Sequence, residues 1–263
     1  MEPSRQSLNP VVIGLGALTV LFFVFPLAGL LVRAPWSDMG TVITSGTSRD
    51  ALRLSLFGSL SATALAIVFG FPLAWVLARV RFWGKTLVRG LVTLPMVLPP
   101  VVGGIALILA YGRRGILGAP LDRALGITLP FTLPGVIVAE SFVAMPFFLI
   151  TLEAGLRSVD TRLEDAARSL GASHWTVFRR VTLPLLTPAL VAGTVLTWSR
   201  ALGEFGATIT FAGNLRGVTQ TAPLAIYISQ SSGRLDEAIA LSLVLVAVSL
   251  IIMIATRGRS RSA

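Results

Sequence analysis

The chain has 263 residues, 54% of them apolar and 13% charged, about half the charged fraction of an ordinary soluble domain, so a water-soluble globular fold is excluded. Its net charge of +10 would suit nucleic acid, but the cations cluster between apolar blocks without an aromatic-basic motif, and the charge reads as membrane topology. With no cysteine and a single histidine, the sequence has no disulfide framework, no thiolate nucleophile and no ordinary zinc site.

A bilayer core of about 30 Å needs roughly 20 apolar residues per helix. Blocks of that kind lie at about 11–32, 54–78, 90–112, 132–152, 183–203 and 238–256. They predict an all-α polytopic membrane protein of six transmembrane helices, with residues 1–263 as one membrane domain. The first block follows Arg5 and exceeds the roughly 7–15 apolar residues of a cleavable signal peptide, so it reads as a retained helix. Residues 33–53 are polar, with Pro35 and Gly40, and read as an external connection with a surface helix. Arg79, Arg81, Lys85 and Arg89 then follow the second block. Trp83-Gly84-Lys85-Thr86 has the end of a phosphate-binding loop, but Arg79 stands where its first glycine must be, so no nucleotide site is expected there.

The third block opens with Pro95, Pro99, Pro100, Gly103 and Gly104. Prolines remove backbone donors and paired glycines allow close packing. Two readings follow: a kinked helix against a neighbour, or a break beside a solute path. Residues 112–131 read as a second external connection. Glu140 interrupts the fourth block; an acid there faces the bundle interior or a partner, as an interhelical hydrogen-bond former or a protonated acid.

Residues 157–182 form a charged, amphipathic stretch between apolar blocks. Thr161 and Glu164 fit a T-x-x-E capping box; Leu163, Ala166, Ala167 and Leu170 recur at helical spacing; Gly171 is a natural stop. Ser173 can cap a second short helix reaching Val181, and Pro184 limits how it joins the fifth block. Two short helices joined at a glycine, lying on one membrane surface, are expected. The cations Arg157, Arg162, Arg168, Arg179 and Arg180 put this surface inside the cell, and with the cations after the second block and at Arg257, Arg259 and Arg261 they put both termini inside. His174 lies in this loop and reads as a solvated or docking residue rather than a catalytic base.

Arg200 and Glu204 stand four residues apart at the end of the fifth block and can pair one turn apart; a structural pair and a role beside the solute path are both open. Residues 219–231 read as a short interfacial or re-entrant helix. An intramembrane enzyme is the reading from another class, but the lone histidine and carboxylates without a spacing motif leave it without machinery.

Two stretches carry a resemblance. Asp165-Ala166-Ala167, three further residues, Gly171, nine more and Val181-Thr182-Leu183-Pro184 resemble the EAA loop of ABC importer permeases, with Asp165 where Glu is usual and Val181 where Ile is usual. Ser199-Arg200-Ala201-Leu202-Gly203-Glu204-Phe205-Gly206-Ala207-Thr208-Ile209-Thr210-Phe211-Ala212-Gly213-Asn214, continuing through Thr219 to Tyr227, looks like the molybdate permease family and its sulfate and tungstate relatives. The resemblance covers about residues 53–253. It implies the type I ABC importer (MetI-like) fold and an ATPase-coupling loop at Glu164, Asp165, Ala166, Ala167, Arg168, Gly171, Val181 and Pro184. It further implies a second permease chain, two ATP-binding cassette subunits carrying ATP and magnesium, an external binding protein, and a bacterial plasma membrane. No cofactor is expected on this chain. Candidates for the translocation path are Pro99, Pro100, Gly103, Arg200, Glu204, Thr208, Thr210, Asn214, Thr219 and Thr221. Hydroxyls, amides and glycine N–H groups of that kind suit a tetrahedral oxyanion; helix packing and back-bonding to carbonyls are the plainer alternative for each.

Overall fold

The computed structural model describes residues 10–259, with side chains described as far as Ile254. Arg5 and Arg261, and the side chains of Arg257 and Arg259, lie outside that description, and so do both termini. Among the described residues all regular structure is helical: α1 (Pro10–Val32), α2 (Met39–Thr44), α3 (Gly46–Arg79), α4 (Lys85–Thr93), α5 (Pro100–Tyr111), α6 (Gly118–Leu125), α7 (Leu133–Ser158), α8 (Thr161–Ser169), α9 (His174–Val177), α10 (Leu183–Leu202), α11 (Gly206–Phe211), α12 (Ala222–Ser231) and α13 (Leu235–Arg259).

Five stretches are long and apolar enough to cross a membrane: α1, α3, α7, the rod from α9 through α10, and α13. A sixth crossing exists if α4 and α5 count together, but they are not the straight helix expected over 90–112. The chain passes through a 3₁₀ turn at Leu94–Met96 and bends by 117° before α5. Pro95 and Pro99 lack the donors a continuous helix requires, and Pro100 opens α5 at a position where its missing N–H costs nothing. The chain is therefore broken here rather than continuous, and α5 is packed on a neighbouring element as well. Other boundaries moved outward: α3 starts at Gly46 because Ser45 accepts the Ser48 N–H and caps it, and α13 starts at Leu235.

The core is built on α7, flanked by α3 and α10. Ala51, Ser55, Ala62, Ala66, Gly70 and Ala74 form a buried stripe of small residues on α3, which lets the two backbones approach closely. Phe148, Leu149, Leu152, Leu156 and Leu186 close the centre. A second cluster of Leu107, Ala139, Val143, Ala207 and Phe211 joins α5, α7 and α11. Helix α1 buries no residue and touches α13. Helices α3 and α7 run in the same direction, so the ends at Arg79 and Ser158 share one basic face of the bundle; α11, α12 and the start of α7 lie towards the opposite end.

The basic face is tied by ions. Arg89 of α4 donates to both Glu153 oxygens, and Arg157 donates to Glu153 Oε1 at 2.7 Å and reaches the Leu77 carbonyl. Glu153 therefore joins α4 to α7. Lys85, from the phosphate-loop-like tetrapeptide, turns its Nζ back to the Val80 carbonyl at 2.8 Å.

Candidate functional site

Two regions emerge. The first is the basic-face loop. Helix α8 begins not with the expected capping box but with Asp160, whose carboxylate accepts the Arg162 N–H at 2.9 Å. Thr161 is already helical, so the reciprocal bond has no geometry. Glu164, freed from capping, turns inward. Its Oε1 accepts Arg79 Nη2 at 2.9 Å and the Thr182 hydroxyl at 2.8 Å. Asp165 turns the other way, two-thirds exposed, and pairs with Arg168 at 2.6 Å.

Gly171 ends α8 with φ +86°. The Ala172 N–H bonds Ala167 O and the Gly171 N–H bonds Arg168 O, the paired bonds of a Schellman ending. Ser173 caps α9 by accepting the Thr176 N–H at 3.2 Å. The expected second short helix is not separate, however. From His174 the chain runs through one π turn, Phe178–Thr182, directly into α10. Pro184 is accommodated there because the wider turn relieves the clash a proline ring makes with the carbonyl four residues before it.

The loop presents apolar side chains to solvent: Leu163 is 50% exposed, Leu170 90% and Trp175 67%. Ala166 and Pro184 are exposed too, while Ala167 and Val181 are half-buried. Beneath them, Trp175 stacks on Phe178, and Phe178 meets Trp75 and Phe71 of α3 edge-on at 5.6 and 6.1 Å. A small charged helix with an unpartnered apolar surface, seated on an aromatic stack, is what a docking element requires.

The second region lies around α11. Arg200 pairs with Glu204 at 2.6 Å, as the spacing predicts, but Glu204 lies beyond the end of α10, so the pair spans a helix terminus rather than a helix face. Glu204 is 1% exposed, and its Oε1 accepts the Ala207 N–H at 2.9 Å. Glu140 is equally buried and makes no hydrogen bond through Oε2. Gly58 of α3 makes room for it, since a Cβ there would stand 2.9 Å from that oxygen.

Helix α11 packs on the first turns of α5. A Cβ at Gly206 would lie 2.6 Å from Pro100 Cβ, and one at Gly104 would lie 2.5 Å from Thr210 Cβ. The proline-glycine break and the polar segment, distant in sequence, thus form one joint, with Gly103 against Phe142. The polar candidates then divide. Thr210 bonds back to Gly206 O, and Thr219 accepts the Leu215 N–H, so both hydroxyls serve the local backbone. Thr208 and Thr221 are buried with unpartnered hydroxyls, and Asn214 has a buried, unpartnered Oδ1. Pro99 and Pro100 are exposed. Between α3, α4, α5 and α7 is an apolar cavity of about 310 Å³, lined by Leu65, Leu91, Pro95, Tyr111, Phe142 and Met145. Gly104→Val should separate α5 from α11: the detergent melting temperature drops, as overpacking of a closed contact costs about 1–3 kcal/mol.

Residues 66–258 match the family described as the binding-protein-dependent transport system inner membrane component. The chain belongs to that family. It is 44% identical over 241 residues to the molybdenum transport system permease protein ModB of Mycobacterium tuberculosis, covering 92% of this chain and 90% of the relative. It is 41% identical to ModB of Escherichia coli, covering 81% and 93%, and 35% identical to the Escherichia coli sulfate transport system permease protein CysT, covering 95% and 92%. Among solved structures, a bacterial ABC transporter involved in alginate import superposes with a TM-score of 0.73 at 21% identity, covering 96% of this chain and 95% of that one. The inward-facing methionine transporter MetNI gives 0.61 at 20% identity, covering 90% and 97%. The fold is that of ABC importer permeases, and the chain is a multi-pass membrane protein.

Several contributors to both regions escape sequence reasoning. Arg79 stands 85 residues from Glu164 and lies in no motif pointing to it, and Thr182, 18 residues on, lies within the loop signature but without a signal that its hydroxyl reaches Glu164. Ser55, which accepts the Ala222 N–H at 2.7 Å and holds the start of α12 against α3, is 167 residues away. Glu153 had a usable signal, an acid four residues before Arg157.

Proposed function

We propose that this chain is the membrane-spanning permease subunit of an ATP-driven importer of molybdate, working as a pair of identical chains. Each copy docks one ATP-binding cassette subunit, which carries ATP and magnesium, and an external binding protein delivers the anion. The observation that carries this reading is the solvent-facing α8–Gly171–α9 unit with its unpartnered Leu163, Leu170 and Trp175, in a chain 44% identical to ModB proteins. The basic face is then cytoplasmic, with both termini, in a bacterial plasma membrane. ATP closes the cassettes, the docked loops move together, and the helices switch access; the coupling is a two-state equilibrium biased far from the pore.

The similarity to CysT supports sulfate as the second reading, with tungstate beside it. The deciding experiment reconstitutes the chain with its cognate ATPase and binding protein and measures molybdate uptake against excess sulfate or tungstate. Molybdate uptake that excess sulfate leaves intact supports the proposal; sulfate uptake that molybdate cannot suppress would sink it. For topology, single cysteines at Lys85 and His174 should react with impermeant thiol reagents only from the cytoplasmic side, and one at Asp122 only from outside. Labelling of position 174 from outside would reverse the orientation and remove the docking assignment.

A further inference from the structure

Glu164 and Asp165 are neighbours in sequence with opposite surroundings. Asp165 is two-thirds exposed and bonded only within its helix, to Arg168. The Glu164 side chain is 12% exposed, and one of its oxygens holds two other elements: Arg79 at the end of α3, and Thr182 in the π turn that starts the α10 rod. Thr182 is 1% exposed. The Arg79 guanidinium also lies over the Trp75 ring at 5.9 Å, and Trp75 meets Phe178 just before Thr182.

Helix α8 itself buries no residue, so apolar packing does not clamp it to the bundle. Greasy contacts also slide under load, whereas a carboxylate shared by a guanidinium and a hydroxyl is directional and charge-assisted. We propose that Glu164 is a positioning residue for energy transmission: it locks α8 to the ends of α3 and α10, so that displacement of the docked loop moves both helices together. This rests on the reading of α8 and α9 as the ATPase-docking unit, and it separates the two acids by task, with Asp165 facing the partner and Glu164 gripping the chain's own helices. The π turn serves the same purpose, since Thr182 sits within it and the rod that contains it is unbroken from His174 to Leu202.

The test uses the complete transporter in proteoliposomes, with uptake and ATP hydrolysis measured on the same preparation. In Glu164→Ala complexes that still carry their ATPase subunits, anion uptake per ATP hydrolysed should fall about fivefold or more, the lower end of ordinary allosteric coupling. Thr182→Val, close to isosteric, should lower the same ratio in the same direction and decides the matter should the alanine variant fail to assemble. Arg79→Ala combined with Glu164→Ala should be no worse than either alone, as members of one joint are non-additive, and Glu164→Gln, which keeps an acceptor for Thr182, should recover part of the ratio. An unchanged ratio in Thr182→Val together with Glu164→Ala would overturn the proposal, and so would loss of uptake strictly parallel to loss of ATPase association. A wild-type chain that bound no ATPase subunit would instead defeat the underlying functional reading, before any variant is made.

Discussion

Replacing Gly171 by valine should abolish uptake while leaving the protein inserted and nearly as stable. At φ +86° this residue occupies left-handed space, where an L side chain pays roughly 1–2 kcal/mol and a β-branched one more. Nothing lies within 4 Å of where its Cβ would stand, so the penalty is purely of backbone conformation. The chain escapes it by abandoning the turn, which breaks the bonds from Ala172 to Ala167 and from Gly171 to Arg168 and changes the angle between α8 and α9. Leu163 and Leu170 then no longer share one surface with Trp175. The membrane helices do not depend on that turn, so insertion and detergent melting should change little. Uptake and co-purification of the ATPase should fall at least about tenfold. Gly171→Asn, which tolerates left-handed φ better, should retain a substantial fraction of both. Wild-type uptake in Gly171→Val would mean that the turn is not part of the docking element.

The contrast between Gly171 and Glu164 shows what was legible. A glycine followed by Ser173 is a local signal, and the chain uses it as local chemistry requires. The apolar blocks likewise predicted the crossings, because burying them in lipid depends on length and composition alone. The capping box failed because Asp160, one residue earlier, caps equally well, and Glu164 has a stronger claim on it from Arg79 across the bundle. The break before α5 was visible only as an ambiguity: prolines announce missing donors, but whether the chain kinks or turns through 117° depends on α11 packing against Gly104. Helix α11 itself went unseen, since six residues among glycines and threonines carry no period. Phe131, the one non-glycine residue with positive φ among the described residues, at +60°, is held by its ring over Gly213, a contact no local pattern announces.

Arg200 and Glu204 should behave as one structural unit. Glu204 is 1% exposed, and it both pairs with Arg200 and accepts the Ala207 N–H that starts α11. Arg200→Met removes the cation and leaves an uncompensated buried carboxylate. Breaking a buried pair from one side costs about 3–5 kcal/mol, and with the Arg200 side chain 30% exposed the lower end applies. The complex should melt roughly 5–10 °C lower, with uptake falling in step. Glu204→Gln should be milder, because the amide oxygen still accepts from Ala207 while Arg200 can turn towards water. Joining the two, Arg200→Met with Glu204→Gln, removes both charges, keeps the α11 contact and should recover most of the stability and transport lost in Arg200→Met. That recovery is the signature of a pair whose members serve each other. If Arg200 instead attracts the anion, its single variant assembles and melts normally yet transports poorly, and the double variant is no better. Melting temperature and binding-protein-dependent uptake across the three variants therefore separate scaffold from pore, and a stable Arg200→Met complex without uptake would move Arg200 into the translocation path.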